Sequence, residues 1–311
     1  MAQQPELIEP PRPPVPRHRG PTRGQIAVRR AVAVAFLAVV LGALAWGVAI
    51  ALDKVRGGSA APATTVTPPV APKPLRIVFP EGFTRQQMAA RITSVDRIAR
   101  RERGVTPLLD AKHYLALTAQ SRLPGTFARD RKPRPLEGFL FPATYDFVRR
   151  TTTKQLVAQQ LKAFNRNWSQ VDLRYARSKN LTPYDVLIIA SMVEKEALAP
   201  DDRPKIAAVI YNRLHARMPL GIDATIRYAL NVPGTEPLHQ SQLSNPTPYN
   251  TRLHRGLPPG PIANPGLASM QAAAHPTHAN WLYFVRKPDK VHHFFTSSYT
   301  EFQNYANAHG F

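Results

Sequence analysis

The chain has 311 residues, of which 41 are Lys or Arg against 20 Asp or Glu, for a net charge of +21 at pH 7. It contains no cysteine, which excludes disulfide staples, thiol nucleophiles and thiolate metal sites. The length suffices for one or two domains with a real core, and the charge fits either an anionic environment such as acidic lipid or cell-wall polymer or an arginine-rich composition without a specific partner.

Residues 1–30 are rich in proline and arginine and too poor in large apolar groups to build a core, so they are expected to form a disordered basic tail. Ala31 to Leu52 then runs without a charge. As a helix it would rise about 33 Å at ~1.5 Å per residue, enough for a hydrocarbon layer of ~30 Å, and it is longer than the ~7–15 residues of a signal-peptide core. Six arginines precede it between Arg12 and Arg30, while Lys54 and Arg56 follow. This bias predicts a single-pass inner (cytoplasmic) membrane helix with a cytoplasmic N-terminus and the rest of the chain extracytoplasmic, away from nucleic acid. A cleaved signal peptide ending near Ala60 is the competing reading. Residues 53–74, dense in proline and small side chains, read as a linker.

Leu75 to Phe79 alternates as a strand, Pro80-Glu81-Gly82 turns the chain, and Thr84 is placed to cap a helix carrying Met88, Ala89 and Ile92 on one face. A second helix is expected over Asp110 to Thr118. The basic stretch from Arg122 to Pro135 suggests a boundary, giving a small unit over 75–133 and a larger one over 134–311. Leu136 to Phe147 reads as two turns around Gly138 and Pro142, and Thr151 to Trp168 as an amphipathic helix.

Pro183 to Leu198 (PYDVLIIASMVEKEAL) is the stretch around which the larger unit is organised. Thr182 is a candidate N-cap, Pro183 suits the first helical position, and Asp185 suits the positive end of the helix dipole. Val186, Ile189, Ala190, Val193 and Ala197 form one apolar stripe. Glu196 lies at its edge, near Ile189, Met192 and Val193, where partial desolvation raises a carboxyl's pKa. Glu194 lies on the opposite flank beside Leu187 and Ala190, because two residues correspond to about 200° of rotation. Further helices are expected over Pro204–Arg217 and, capped by Asp223, over Ala224–Leu230. The Pro-, Gly- and Asn-rich region 231–265 is long enough to suggest an ordered cleft-lining loop. A helix over Pro265–Ala274 and a hairpin of Trp281–Val285 with Val291–Thr296 complete the pattern, which is α+β. His275, His278, His292 and His293 show no metal-ligand spacing, so no metal or cofactor is expected.

Several of these stretches, in order, resemble the endolytic murein transglycosylases of the MltG/YceG-like type: LEGFLFPATY (136–145), IIASMVEKEA (188–197), IAAVIYNRL (206–214), IDATIRYAL (222–230), NPTPYNT (245–251), GLPPGPIANPG (256–266), AAAHP (272–276), LYFV (282–285) and HHFF (292–295). The resemblance covers nearly all of 136–311. It implies a mixed catalytic domain with a lysozyme-like catalytic helix, a small LysM-like subdomain over 75–133, and a single N-terminal anchor. It also implies cleavage of peptidoglycan glycan strands to leave 1,6-anhydro-muramyl ends, with peptidoglycan synthases as candidate partners. The catalytic glutamate carries over to Glu196, with Glu194 in reserve, and candidate substrate contacts to Asn212, Arg213, Asp223, Tyr228, Tyr249, Asn250 and Thr251. Ile222, Ala224, Arg252 and Phe302 depart from the family pattern. A muramidase-type hydrolase using the same glutamate with water, and a non-catalytic peptidoglycan-binding scaffold, are the rival readings.

Overall fold

Leu75–Val78 (β1) pairs antiparallel with Thr144–Phe147 (β2), in the register Leu75 to Phe147 and Ile77 to Tyr145, in a computed structural model that describes residues 74–129 and 133–310. Leu75 and Ile77 point into the core and Arg76 and Val78 outward, as alternation demands. The partner strand was not expected, since LEGFLFPATYDF reads locally as turns. This pairing spans the boundary expected near residue 133. The basic tail, the candidate membrane helix and all but the last residue of the linker lie outside the described residues. Among the described residues no helix is long and apolar enough to cross a membrane.

Between the two strands, Arg85–Arg103 (α1) starts in a capping box of Thr84 and Gln87 and ends at Gly104, whose φ of 60° favours glycine. Ala111–Ala119 (α2) is capped by Asp110. Its buried Tyr114 donates a hydrogen bond to Gln160 of Thr153–Trp168 (α3), and so fastens α2 to α3. A buried aromatic cluster of Phe127, Phe139, Phe164 and Trp168 lies beside it, with ring centroids 4.9–5.9 Å apart. A short helix, Arg174–Ser178 (α4), leads to Pro183–Glu196 (α5).

Thr182 and Asp185 cap α5 reciprocally, and Pro183 takes its first turn, as the residue types require. The expected single apolar stripe needs correction. All eight residues from Val186 to Val193 are buried, so α5 is a central helix enclosed on every side. Arg203–His215 (α6), Asp223–Leu230 (α7) and Leu267–Ala274 (α9) surround it. The helix stops at Glu196, two residues before the expected end, because Ala197 turns extended. At α7, Ile222 occupies the cap position without a side-chain bond, and Asp223 is the first helical residue instead of the cap. The 231–265 region holds one short helical piece, Gln240–Leu243 (α8).

Tyr283–Arg286 (β3) and His293–Thr296 (β4) form the expected hairpin. One buried anchor fixes it: Asp202 accepts from both the backbone N (2.7 Å) and the Nδ1 (3.0 Å) of His293. A final helix, Tyr299–His309 (α10), was not anticipated. It buries no residue fully and rests on aromatic contacts such as Phe294 on Tyr305, stacked at 4.2 Å, so it offers no apolar stripe to read.

Candidate active site

The termination of α5 decides the setting of its two glutamates. Glu196, the last helical residue, is half-buried at the end where helix carbonyls disfavour a negative charge. Its carboxyl faces the start of α7 and the backbone N–H of Ala224. Burial pushes its pKa up to about 7 and the neighbouring Asp223 charge adds to the rise, against the lowering effects of Arg286, the Ala224 N–H and Arg227. Near neutral pH this glutamate therefore holds a proton it can donate. Asp223 is itself paired with Arg252 at 2.7 Å, so the arginine that departs from the family pattern serves as a partner for this aspartate.

Glu194 looks elsewhere. Its Oε2 accepts from the backbone N of Gly266 at 3.0 Å, at the start of α9 where an anion is favoured. Gly82 packs against the Glu194 stem, while Lys195 Nζ reaches Gly82 O at 3.4 Å. The EKE segment thus clasps the Pro80-Glu81-Gly82 turn. Glu81 also approaches Gly266, and its pKa is raised by burial and by the Glu194 charge, with Arg203 opposing.

A third carboxyl, Glu137, escaped the sequence reading. It is 4% exposed and accepts from Arg85 N (3.1 and 3.2 Å), Asn264 Nδ2 (2.7 Å) and Tyr228 OH (3.3 Å). Burial pushes its pKa up to about 7, despite the lowering effect of Arg85 and its hydrogen bonds. The sequence signal was a lone acid in an apolar run, followed by Gly138 at φ 88°. A Cβ at that glycine would fall 2.7 Å from Pro261 Cγ, so the chain needs glycine to bring Glu137 to Asn264.

The remaining candidates divide into two groups. Tyr228 and Tyr249 lie together, ring centroids 5.2 Å apart, above Glu137, and the burial that raises both phenol pKa values leaves them neutral. Asn212, Arg213, Asn250 and Thr251 are committed to backbone. Asn212 Nδ2 donates to Ala279 O (2.9 Å) and Trp281 O (2.8 Å), and Arg213 to Leu282 O (2.6 Å) and Leu220 O (2.7 Å). Asn250 Nδ2 donates to Leu243 O and Asn245 O, and Thr251 Oγ1 accepts from Ile222 N at 3.0 Å. The last bond, with the buried Thr225 hydroxyl beside it, fixes the start of α7 and hence the donor that meets Glu196. Among the described residues no group of three or more His, Asp or Glu is placed to hold a metal.

The YceG-like family model matches residues 57–308. The chain is 33% identical over 216 residues to the endolytic murein transglycosylase of Bacillus subtilis (strain 168), covering 68% of this chain and 59% of that protein. It is 40% identical over 156 residues to the endolytic murein transglycosylase of Streptococcus pneumoniae (strain R6), covering 48% of this chain and 28% of that one. The chain therefore spans less than two thirds of the length of these curated relatives. A crystal structure of a yceG-like protein from Listeria monocytogenes superposes with a TM-score of 0.57 at 30% identity, over 74% of this chain and 75% of that one.

Proposed function

The chain belongs to the YceG-like family, and from that premise we propose that it is an endolytic lytic transglycosylase of peptidoglycan with Glu196 as its acid and base. The observation that carries this reading is the half-buried Glu196 carboxyl, whose pKa of about 7 keeps it protonated near neutrality. Glu196 gives its proton to the glycosidic oxygen as the bond from the muramic acid anomeric carbon breaks. The sugar's own C6 hydroxyl then attacks that carbon, and Glu196, now a carboxylate, takes the hydroxyl proton. The product is a 1,6-anhydro end, no water is consumed, and the proximity of the C6 hydroxyl replaces an activated nucleophile. One carboxyl therefore serves both steps, where a hydrolase uses two.

Asp223, held by Arg252, acts on the proton affinity of Glu196. Tyr228 and Tyr249 offer rings and hydroxyls to the glycan, and Asn212, Arg213, Asn250 and Thr251 position the loops that form the cleft. The full proposal includes anchoring by 31–52 with the catalytic part outside the cytoplasmic membrane, and a LysM-like role in glycan binding for 75–133. The apolar run and the arginine excess before it support the anchor, and position in the family pattern supports the LysM-like role. Mass spectrometry of peptidoglycan digested by the purified protein tests the reaction: anhydro ends at internal cuts are expected. Reducing ends would make the enzyme a hydrolase, and no cleavage would leave a binding scaffold.

A further inference from the structure

Lys195 and Glu196 are neighbours at the end of α5, and a chain of hydrogen bonds leads from the first of them back to the second. Lys195 Nζ holds Gly82 O at 3.4 Å. Asn264, fully enclosed, takes up the same turn: its backbone carbonyl accepts from Gly82 N (2.9 Å), while its backbone N and its Nδ2 both donate to Phe83 O (3.0 and 2.9 Å). Its Nδ2 also donates to Glu137 (2.7 Å), and its Oδ1 accepts from Leu140 N (2.9 Å). Glu137 Oε2 in turn accepts from the Tyr228 hydroxyl at 3.3 Å. Tyr228 lies on α7 one turn beyond Ala224 and on the same face, and the Ala224 N–H faces the Glu196 carboxyl. The ties therefore close into a ring that runs from α5 through the 80–83 turn, Asn264 and Glu137 to α7, and returns to α5 at Glu196.

Glu137 is the link that needs two acceptor oxygens, because it serves Arg85 N, Asn264 and Tyr228 together. Arg85 is the first residue of α1, so its N–H has no partner inside the helix and the helix dipole favours a negative charge there. The ties of α7 to Thr251 and Arg252 lie at its start, through Ile222 N (3.0 Å) and the Asp223 carboxylate (2.7 Å). A helix held at one end can pivot, and a second tie one turn further on fixes its direction. We propose that Glu137 is a positioning residue for the reaction proposed above, on which this inference rests: by holding the Tyr228 hydroxyl it fixes the second turn of α7 and keeps the front of that helix closed over Glu196. The groups that face Glu196 are Asp223, Arg227 and the Ala224 N–H on α7, with Arg286 on β3. Burial is the largest influence on the Glu196 proton, so a pivot of α7 admits water and lets that proton leave at lower pH.

The test follows the titration of the Glu196 carboxyl by difference infrared spectroscopy on the full chain in detergent, each protein being compared with the same protein carrying Glu196→Gln. The wild-type midpoint is expected at about 7. In Tyr228→Phe, which keeps the ring and removes the hydroxyl, and in Glu137→Gln, it should fall by about one unit, a tenfold weaker hold on the proton. The double variant should shift no further than either single one, since both break the same tie. Gly104→Ala, which strains α1 away from the ring of bonds, should leave the midpoint in place, and circular dichroism checks the fold of every variant. An unmoved midpoint in folded Tyr228→Phe and Glu137→Gln, additive shifts in the double variant, or an equal shift in Gly104→Ala overturns the positioning role. A second arm measures cleavage against pH, where the alkaline limb of kcat should follow the infrared midpoint in each variant. Because the infrared arm needs no turnover, shifted midpoints in a protein that cleaves nothing would overturn the reaction alone, and cleavage with unmoved midpoints the positioning role alone.

Discussion

Glu194 and Glu196 stand two residues apart on α5, yet the first takes a hydrogen bond from Gly266 N at the start of α9 and the second faces Asp223 and the backbone N–H of Ala224 at the start of α7. One carboxylate clasps the turn that joins β1 to α1 and the other meets the front of α7, so their removal should have different consequences. Glu196→Gln should preserve the fold and lower the rate by about 10²–10⁴-fold, or more because the same group acts in both steps. Glu194→Gln should keep most of the activity and lower the melting temperature modestly, because the bond from Gly266 N at the start of α9 loses its charge assistance. Release of anhydro-muramyl fragments and thermal unfolding, measured on both variants, check this. A silent Glu194→Gln beside an active Glu196→Gln would reverse the roles.

The pH profile follows from the protonated form of Glu196. Activity should hold below neutrality and fall on the alkaline side with an apparent pKa of about 7. Asp223 raises that pKa as a neighbouring negative charge, so Asp223→Asn should move the alkaline limb to lower pH. A limb that stays in place in this variant would remove Asp223 from the electrostatic account.

Glu137 makes stability depend on pH. Its pKa is about 7 in the fold against an ordinary 4.5, so between these values the folded chain holds a proton that the unfolded chain has lost. Stability should therefore decline as pH rises from about 4.5 to 7 and level off above, by up to about 3 kcal/mol for this group. Glu196 contributes a slope of the same sign, so denaturant titrations belong in the Glu196→Gln background. There Glu137→Gln should flatten the remaining slope, to which Glu81 also contributes, and cost about 1–3 kcal/mol at pH 5, since the amide nitrogen that replaces Oε2 cannot accept from Arg85 N or Tyr228 OH.

Gly138→Ala tests the turn that delivers Glu137. The added methyl meets Pro261 and must adopt φ 88°, so a loss of more than about 2 kcal/mol is expected, with activity falling in parallel. Gly104→Ala offers the control: nothing lies within 4 Å of its Cβ, and only the cost of φ 60° remains.

By itself the sequence determined what is local. Thr182, Pro183 and Asp185 announce the start of α5 because a cap is made by residues within one turn of each other. Thr84 with Gln87 and Asp110 do the same for α1 and α2, and the ordered motifs from 136 to 295 were enough to identify the family. Tertiary structure decided everything that depends on burial by distant segments. The helix expected to show one apolar face is enclosed on all sides, because α6, α7 and α9 each bring a surface that its own residues cannot reveal. β2 exists because β1, far upstream, offers it hydrogen bonds. Glu137 looked like a turn residue until Arg85, Asn264 and Tyr228 converged on it, and the bonds by which Asn212, Arg213 and Thr251 tie distant segments together could not be read from the chain. A pKa is set by whatever surrounds the group in three dimensions, and for Glu196 those surroundings come from Asp223, Ala224 and Arg286, far along the chain.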